Sequence, residues 1–122
     1  MCSSAEIDFR QRVPPQDLPG LVDGECSYEE FRGCLRSLEQ VNRWLPGYRP
    51  TLAWLARLLR GLPDPVDILD VGSGGGDLLR QIAMWTRRRG IAVQLTGIDL
   101  NPHATRAATE FTPKDHGFVW TS

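Results

Sequence analysis

The stretch from Val66 to Asp77, V-D-I-L-D-V-G-S-G-G-G-D, constrains the fold more than any other part of the chain. Val66, Ile68, Leu69 and Val71 make a short apolar run suited to a buried strand, and Asp70 falls near its carboxyl end. Four glycines, Gly72, Gly74, Gly75 and Gly76, then crowd into five positions, and a helical pattern begins directly after Asp77. Strand, glycine loop and helix, in that order, are how an α/β sheet brings main chain close to a ligand. A packed turn alone has no need of so many residues without a side chain. The dinucleotide fingerprint Gly-x-Gly-x-x-Gly fails, because its last position is occupied by Asp77. What stands instead is Asp70-x-Gly72-x-Gly74-x-Gly76.

Downstream, Leu78, Leu79, Ile82, Ala83 and Trp85 predict one face of a helix. Arg87, Arg88 and Arg89 sit at its end, where cations complement the helix dipole, and Gly90 stops it. Three adjacent arginines also suit a phosphate contact, but dipole matching and solubility account for them with less. Ile91 to Leu100 predicts a second strand with Asp99 at its close. Asn101 and Pro102 read as N-cap and first helical residue of an alanine-rich helix reaching about Glu110. A breaker-rich loop over 111–117 leads to Phe118-Val119-Trp120, the start of a third strand. Strand and helix alternate, which predicts an α/β fold with right-handed crossovers and a parallel sheet.

Upstream, residues 1–26 hold prolines, glycines and scattered charges with no sustained period, and are expected to be disordered or extended. Residues 27–62 predict a helical cap. Ser27 and Glu30 form a capping box, and Phe31, Leu35, Leu38, Val41 and Leu45 set an apolar stripe behind it. A second helix starts near Pro50, with Leu52, Leu55, Leu58, Leu59 and Leu62 on its apolar face. Asn42-Arg43-Trp44 and Tyr48-Arg49 cluster where the two helices join. They either lie over a pocket or form a helix end with an aromatic anchor and solvated arginines; the second needs fewer assumptions. Cys2, Cys26 and Cys34 are odd in number and lack metal-like spacing, so no metal site is expected, and Cys34 is expected in the core. A thiol nucleophile would need His103 or His116 as its base, and both are remote in sequence.

The segment LDVGSGGGDLL resembles motif I of the class I S-adenosylmethionine-dependent methyltransferases, and GIDLNPHATRAA resembles the family's second-strand motif. The resemblance covers about residues 27 to 122 and only the first half of that fold. It implies a Rossmann-like parallel sheet, strands in the order 3-2-1, in residues 63–122, preceded by the helical cap of a small-molecule methyltransferase. It implies S-adenosylmethionine as cofactor, with Asp70, Gly72, Ser73, Gly74, Gly76, Asp99 and Leu100 about it. Asp99 would accept from both ribose hydroxyls, as a carboxylate at that strand end does in nucleotide-binding folds. Asp70 would hold the loop near the cofactor's amino group, or simply accept N–H groups of the turn. No residue matches a catalytic base of the family.

The family's later strands and substrate half are not matched, so the resemblance implies a truncated enzyme, expected to be inactive alone. An NAD-dependent oxidoreductase and a non-catalytic binding fragment are the alternatives. The expected acceptor is a small molecule. Nucleic acid is not expected as a partner, because the 122 residues carry a net charge of -1 with no basic excess. No apolar run approaches the ~18 residues of a membrane span, and no signal-peptide pattern opens the chain, which is read as cytoplasmic. With no fourth strand beside it, the first strand would have an unpaired edge, and self-association through that edge is expected.

Overall fold

The computed structural model describes residues 26–114 and 117–122. The expected extension over residues 1–25, and the histidine at 116, lie outside the described residues. Two helices come first, α1 (Tyr28–Trp44) and α2 (Arg49–Leu58), followed by β1 (Val66–Val71), α3 (Asp77–Arg87), β2 (Val93–Ile98), α4 (Pro102–Phe111) and β3 (Phe118–Thr121). The sheet is parallel with order β1-β2-β3; Val66 pairs with Val93, Asp70 with Gly97, and Gly97 in turn with Trp120. This is the expected α/β, Rossmann-like arrangement.

Helices α1 and α4 start where side chains satisfy orphan N–H groups. Ser27 and Glu30 close a reciprocal capping box on α1, and Asn101 accepts from His103 N–H to start α4, with Pro102 next. Right-handed crossovers through α3 and α4 place both helices on one face of the sheet. That face holds the core: Leu79 and Ile82 of α3, Leu55 and Leu59 around α2, and Leu95 of β2, with Ile68, Phe118 and Trp120 packed beside them. The opposite face, with exposed Leu69, Val71 and Val119, is covered by no described helix.

Two expectations are corrected. The stripe on α1 is buried only at its first turns: Phe31 is enclosed, whereas Leu38 is 51% and Leu45 64% exposed. Beyond Leu35 the packed face of α1 carries Glu39 and Asn42, so the stripe through Leu38, Val41 and Leu45 turns away from it. Cys34 is exposed rather than internal, because it stands on the outer side of that helix.

Trp120 decides how closely the layers approach. A Cβ on Gly97 would lie 2.4 Å from the Trp120 ring, and one on Gly76 would lie 2.3 Å from it. The indole therefore occupies the room of two missing side chains, on β2 and at the base of α3. Gly97→Ala should destabilise the chain by about 2–3 kcal/mol through overpacking, read as a lower urea midpoint at unchanged slope.

The first and fourth helices are tied at the surface. Glu110 accepts from Arg32 Nε and Nη2 at 2.8 and 2.6 Å and from the Tyr28 hydroxyl at 2.6 Å. Hydrogen bonds from Arg32 first, and Tyr28 second, hold its carboxyl at about 2, below the usual 4.5. A carboxyl depressed on folding stabilises above its unfolded value and loses that contribution as pH falls towards the folded one. The stability difference between wild type and Glu110→Gln should therefore be full at neutral pH and fade between pH 4.5 and about 2, as followed by acid titration of the urea midpoint.

Candidate functional site

The site lies where β1 and β2 end and the glycine loop turns into α3. The loop reverses through three left-handed glycines, Gly72 (φ 79°), Gly74 (φ 51°) and Gly76 (φ 74°). Non-glycine residues avoid this region, which explains the alternation of the motif. The remaining Gly75 is not forced by packing: a Cβ there would meet Leu35 and Phe111 at 3.5 Å, ordinary van der Waals contact.

The two sides of the loop differ. On the inner side Leu35, Phe111 and Trp120 lie against Gly74, Gly75 and Gly76. Gly76 is thus accounted for by the protein's own Trp120, and the sequence argument that such crowding serves a ligand does not extend to it. At Gly72 nothing lies within 4 Å of where a Cβ would stand, and the residue is exposed. Ser73 is buried, with its hydroxyl against Gly97. Leu100 is 97% exposed at the end of β2.

The loop N–H groups are largely committed. Gly72 and Ser73 donate to Ile98 O at 2.8 and 3.0 Å, Gly76 donates to Ser73 O at 2.8 Å, and Gly74 donates to Asp99 Oδ2 at 2.9 Å. Asp99 lies on the loop's side of the sheet, and its other oxygen accepts from Asn101 N–H at 2.9 Å. Each carboxylate oxygen keeps a lone pair after these bonds. The aspartate is thereby fixed in orientation and can still accept.

Asp70 accepts no hydrogen bond among the described residues, so it does not serve as an acceptor for the turn. It is half-buried, and its carboxyl is pushed up by burial first, then by the charges of Asp77 and Asp99. Three carboxylates thus surround one loop, a field that favours a cation.

Sequence reasoning missed the links from the helical pair. Tyr48 OH and Asn42 Nδ2 both donate to Asp77 Oδ2, at 2.6 and 3.1 Å. The join between α1 and α2 is therefore no ordinary solvated helix end. Burial first, and then the bond to Asp77 and its charge, push the Tyr48 hydroxyl well above its usual value. Arg80 donates from Nη1 to Gly75 O at 2.5 Å, and its Nη2 lies 3.1 Å from Glu39. The pairings of Tyr48 and Asn42 with Asp77 and of Arg80 with Glu39 could not be read from spacing, because those partners are far apart in sequence.

The residues present fit a nucleoside without phosphate: an open main-chain surface at Gly72, an oriented acceptor in Asp99 for adjacent hydroxyls, and an unpartnered carboxylate in Asp70 for a cationic group. Among the described residues no cluster of His, Cys, Asp and Glu could hold a metal ion, and no helix is long and apolar enough to cross a membrane.

No protein-family model matches the sequence, and no curated protein matches it. Solved structures do. The CMeT domain of the citrinin polyketide synthase aligns with a TM-score of 0.53 at 24% identity, over 62% of this chain and 21% of that one. The plantazolicin methyltransferase BpumL, in complex with a desmethylPZN analogue and SAH, aligns with a TM-score of 0.43 at 24% identity, over 75% of this chain and 40% of that one. YjhP from E. coli aligns with a TM-score of 0.39 at 29% identity, over 58% of this chain and 28% of that one. The chain spans about a fifth of the length of the citrinin synthase domain structure. The likeness is one of fold: 62% of this chain shares the α/β arrangement of part of that domain.

Proposed function

We propose that this chain is the cofactor-binding half of an S-adenosylmethionine-dependent methyltransferase that acts on a small molecule. The observation that carries the reading is Asp99: a carboxylate at the end of β2, bonded to the glycine loop, with acceptor capacity left on both oxygens. Asp99 would hold the ribose diol, Gly72 and Leu100 would lie along the nucleoside, and Asp70 would face the cationic methionine end. The sulfonium donor supplies an electrophilic methyl group. The chain's part is then to orient that donor and keep it fixed, the main task in a transfer of this kind.

A pyrophosphate would need N–H donors that the loop spends internally at Gly72, Ser73, Gly74 and Gly76. This supports S-adenosylmethionine over NAD. A polyanionic acceptor is disfavoured by the three carboxylates at the loop and by a net charge of -1, which supports a small-molecule acceptor. The free thiols of Cys26 and Cys34 suit a reducing compartment, so we place the activity in the cytoplasm.

Calorimetric titration with S-adenosylmethionine, S-adenosylhomocysteine and NAD should show binding of the first two. Asp99→Asn, which keeps one acceptor oxygen for Gly74 or Asn101, should weaken that binding roughly 30-fold, as loss of a charge-assisted hydrogen bond of about 2 kcal/mol implies. Unchanged affinity in this variant would remove Asp99 from the site. Binding without methyl transfer would favour a non-catalytic cofactor-binding role.

We further propose that the isolated chain associates with itself along β1, whose outer edge is unpaired among the described residues and whose Val71 is 76% exposed. Sedimentation velocity should show concentration-dependent association, reduced by Leu69→Lys; a monomer at all concentrations contradicts it.

A further inference from the structure

We propose that the helical pair is a clamp on the glycine loop, and that Tyr48 and Asn42 are positioning residues which set cofactor affinity through Asp77. This deepens the proposed function and rests on that reading of the site.

One face of α1 follows the loop from end to end. Leu35, Glu39 and Asn42 stand at helical steps of four and three, so they share a face. Leu35 lies against Gly74 and Gly75. Glu39 pairs with Arg80, which bonds the carbonyl of Gly75. Asn42, joined by Tyr48 from the turn before α2, holds Asp77, the residue directly after Gly76. The main chain of the loop is thus held at its middle by packing, at Gly75 by a guanidinium, and at its exit by two donors converging on one oxygen.

The loop needs such holding. Glycine loses more conformational freedom on ordering than any other residue, and this loop has four of them. A loop ordered only when the ligand arrives would pay that cost out of binding; a loop fixed beforehand does not. Tyr48 and Asn42 act on Asp77, which opens α3 behind a left-handed Gly76. Moving that carboxylate would turn the loop's exit and, through Gly74, shift the N–H that orients Asp99. Burial and the bond to Asp77 push the Tyr48 hydroxyl above its usual value, so its O–H remains a donor at neutral pH.

Hydrogen exchange on the ligand-free chain reads the clamp without any cofactor, and calorimetry with S-adenosylhomocysteine reads its effect on affinity. Tyr48→Phe should speed exchange of the Gly74 to Asp77 amides about tenfold while leaving the β2 amides unchanged, and should weaken binding roughly 5- to 20-fold, the effect of one hydrogen bond to a charged partner. Asp77→Asn, which keeps an oxygen acceptor, should recover most of what Asp77→Ala loses. Tyr48→Phe combined with Asp77→Ala should be no weaker than Asp77→Ala alone, since that variant already removes the Tyr48 contact along with that of Asn42. A role confined to stabilising the helical pair would instead speed exchange in α1 and α2 and leave affinity unchanged. Unchanged loop exchange, affinity within about twofold of wild type, or additive losses would overturn the clamp. A wild-type chain that binds no nucleoside overturns the functional reading and the link to affinity with it, and this is seen before any variant is made.

Discussion

The fold turns on a single indole. Trp120 lies across β2 and the foot of α3 in space that side chains at positions 97 and 76 would fill. With a Cβ atom at either position, the third strand's ring could not stack there, 5.4 Å from Phe118 and nearly parallel to it. Its packing closes the inner side of the glycine loop at Gly76, while at Gly72 the main chain faces open space. The loop's shape is thus decided from behind, by an apolar contact, before any ligand is considered. Leu35 and Phe111 complete the backing from α1 and the end of α4.

That arrangement explains which parts of the fold were legible in the sequence. The β1 run, the glycine alternation, Asp99 at the end of β2 and the Ser27–Glu30 box each depend on residues close together in the chain, and their periods or spacings carry the information. The left-handed φ of Gly72, Gly74 and Gly76 is what the alternating motif predicts. Gly97 went unnoticed because its reason is on another strand. The apolar stripe on α1 misled for a related cause: periodicity says that a face exists but not how far a partner extends along it. The face that touches the loop is rotated towards Leu35, Glu39 and Asn42, two of them polar, and no hydrophobic pattern marks it.

Electrostatics add a second layer to the same geometry. Asp99 is fixed by two N–H groups, Asp77 by a tyrosine and an asparagine, and Asp70 by neither. Burial and the two neighbouring carboxylates resist ionisation of Asp70, so a cation placed beside it would relieve repulsion as well as gain attraction. Asp77 is thus tied to the helical pair, Asp99 is oriented but keeps acceptor capacity, and Asp70 alone of the three accepts no hydrogen bond among the described residues. Sequence shows three aspartates in one region; only the hydrogen bonds separate their roles.

The same accounting of donors bears on the proposed cofactor. A glycine loop that binds phosphate does so by leaving successive N–H groups unspent and converging. Here Ile98, Ser73 and Asp99 consume those of Gly72, Ser73, Gly74 and Gly76. The failed dinucleotide spacing and the spent donors are therefore two views of one fact. Moving the third glycine to Gly76 tightens the turn so that its N–H reaches back to Ser73 O, and the loop becomes a surface to lie against rather than a cradle for charge. A ligand that suits it presents a flat nucleoside and hydroxyls to that surface and carries positive, not negative, charge near Asp70.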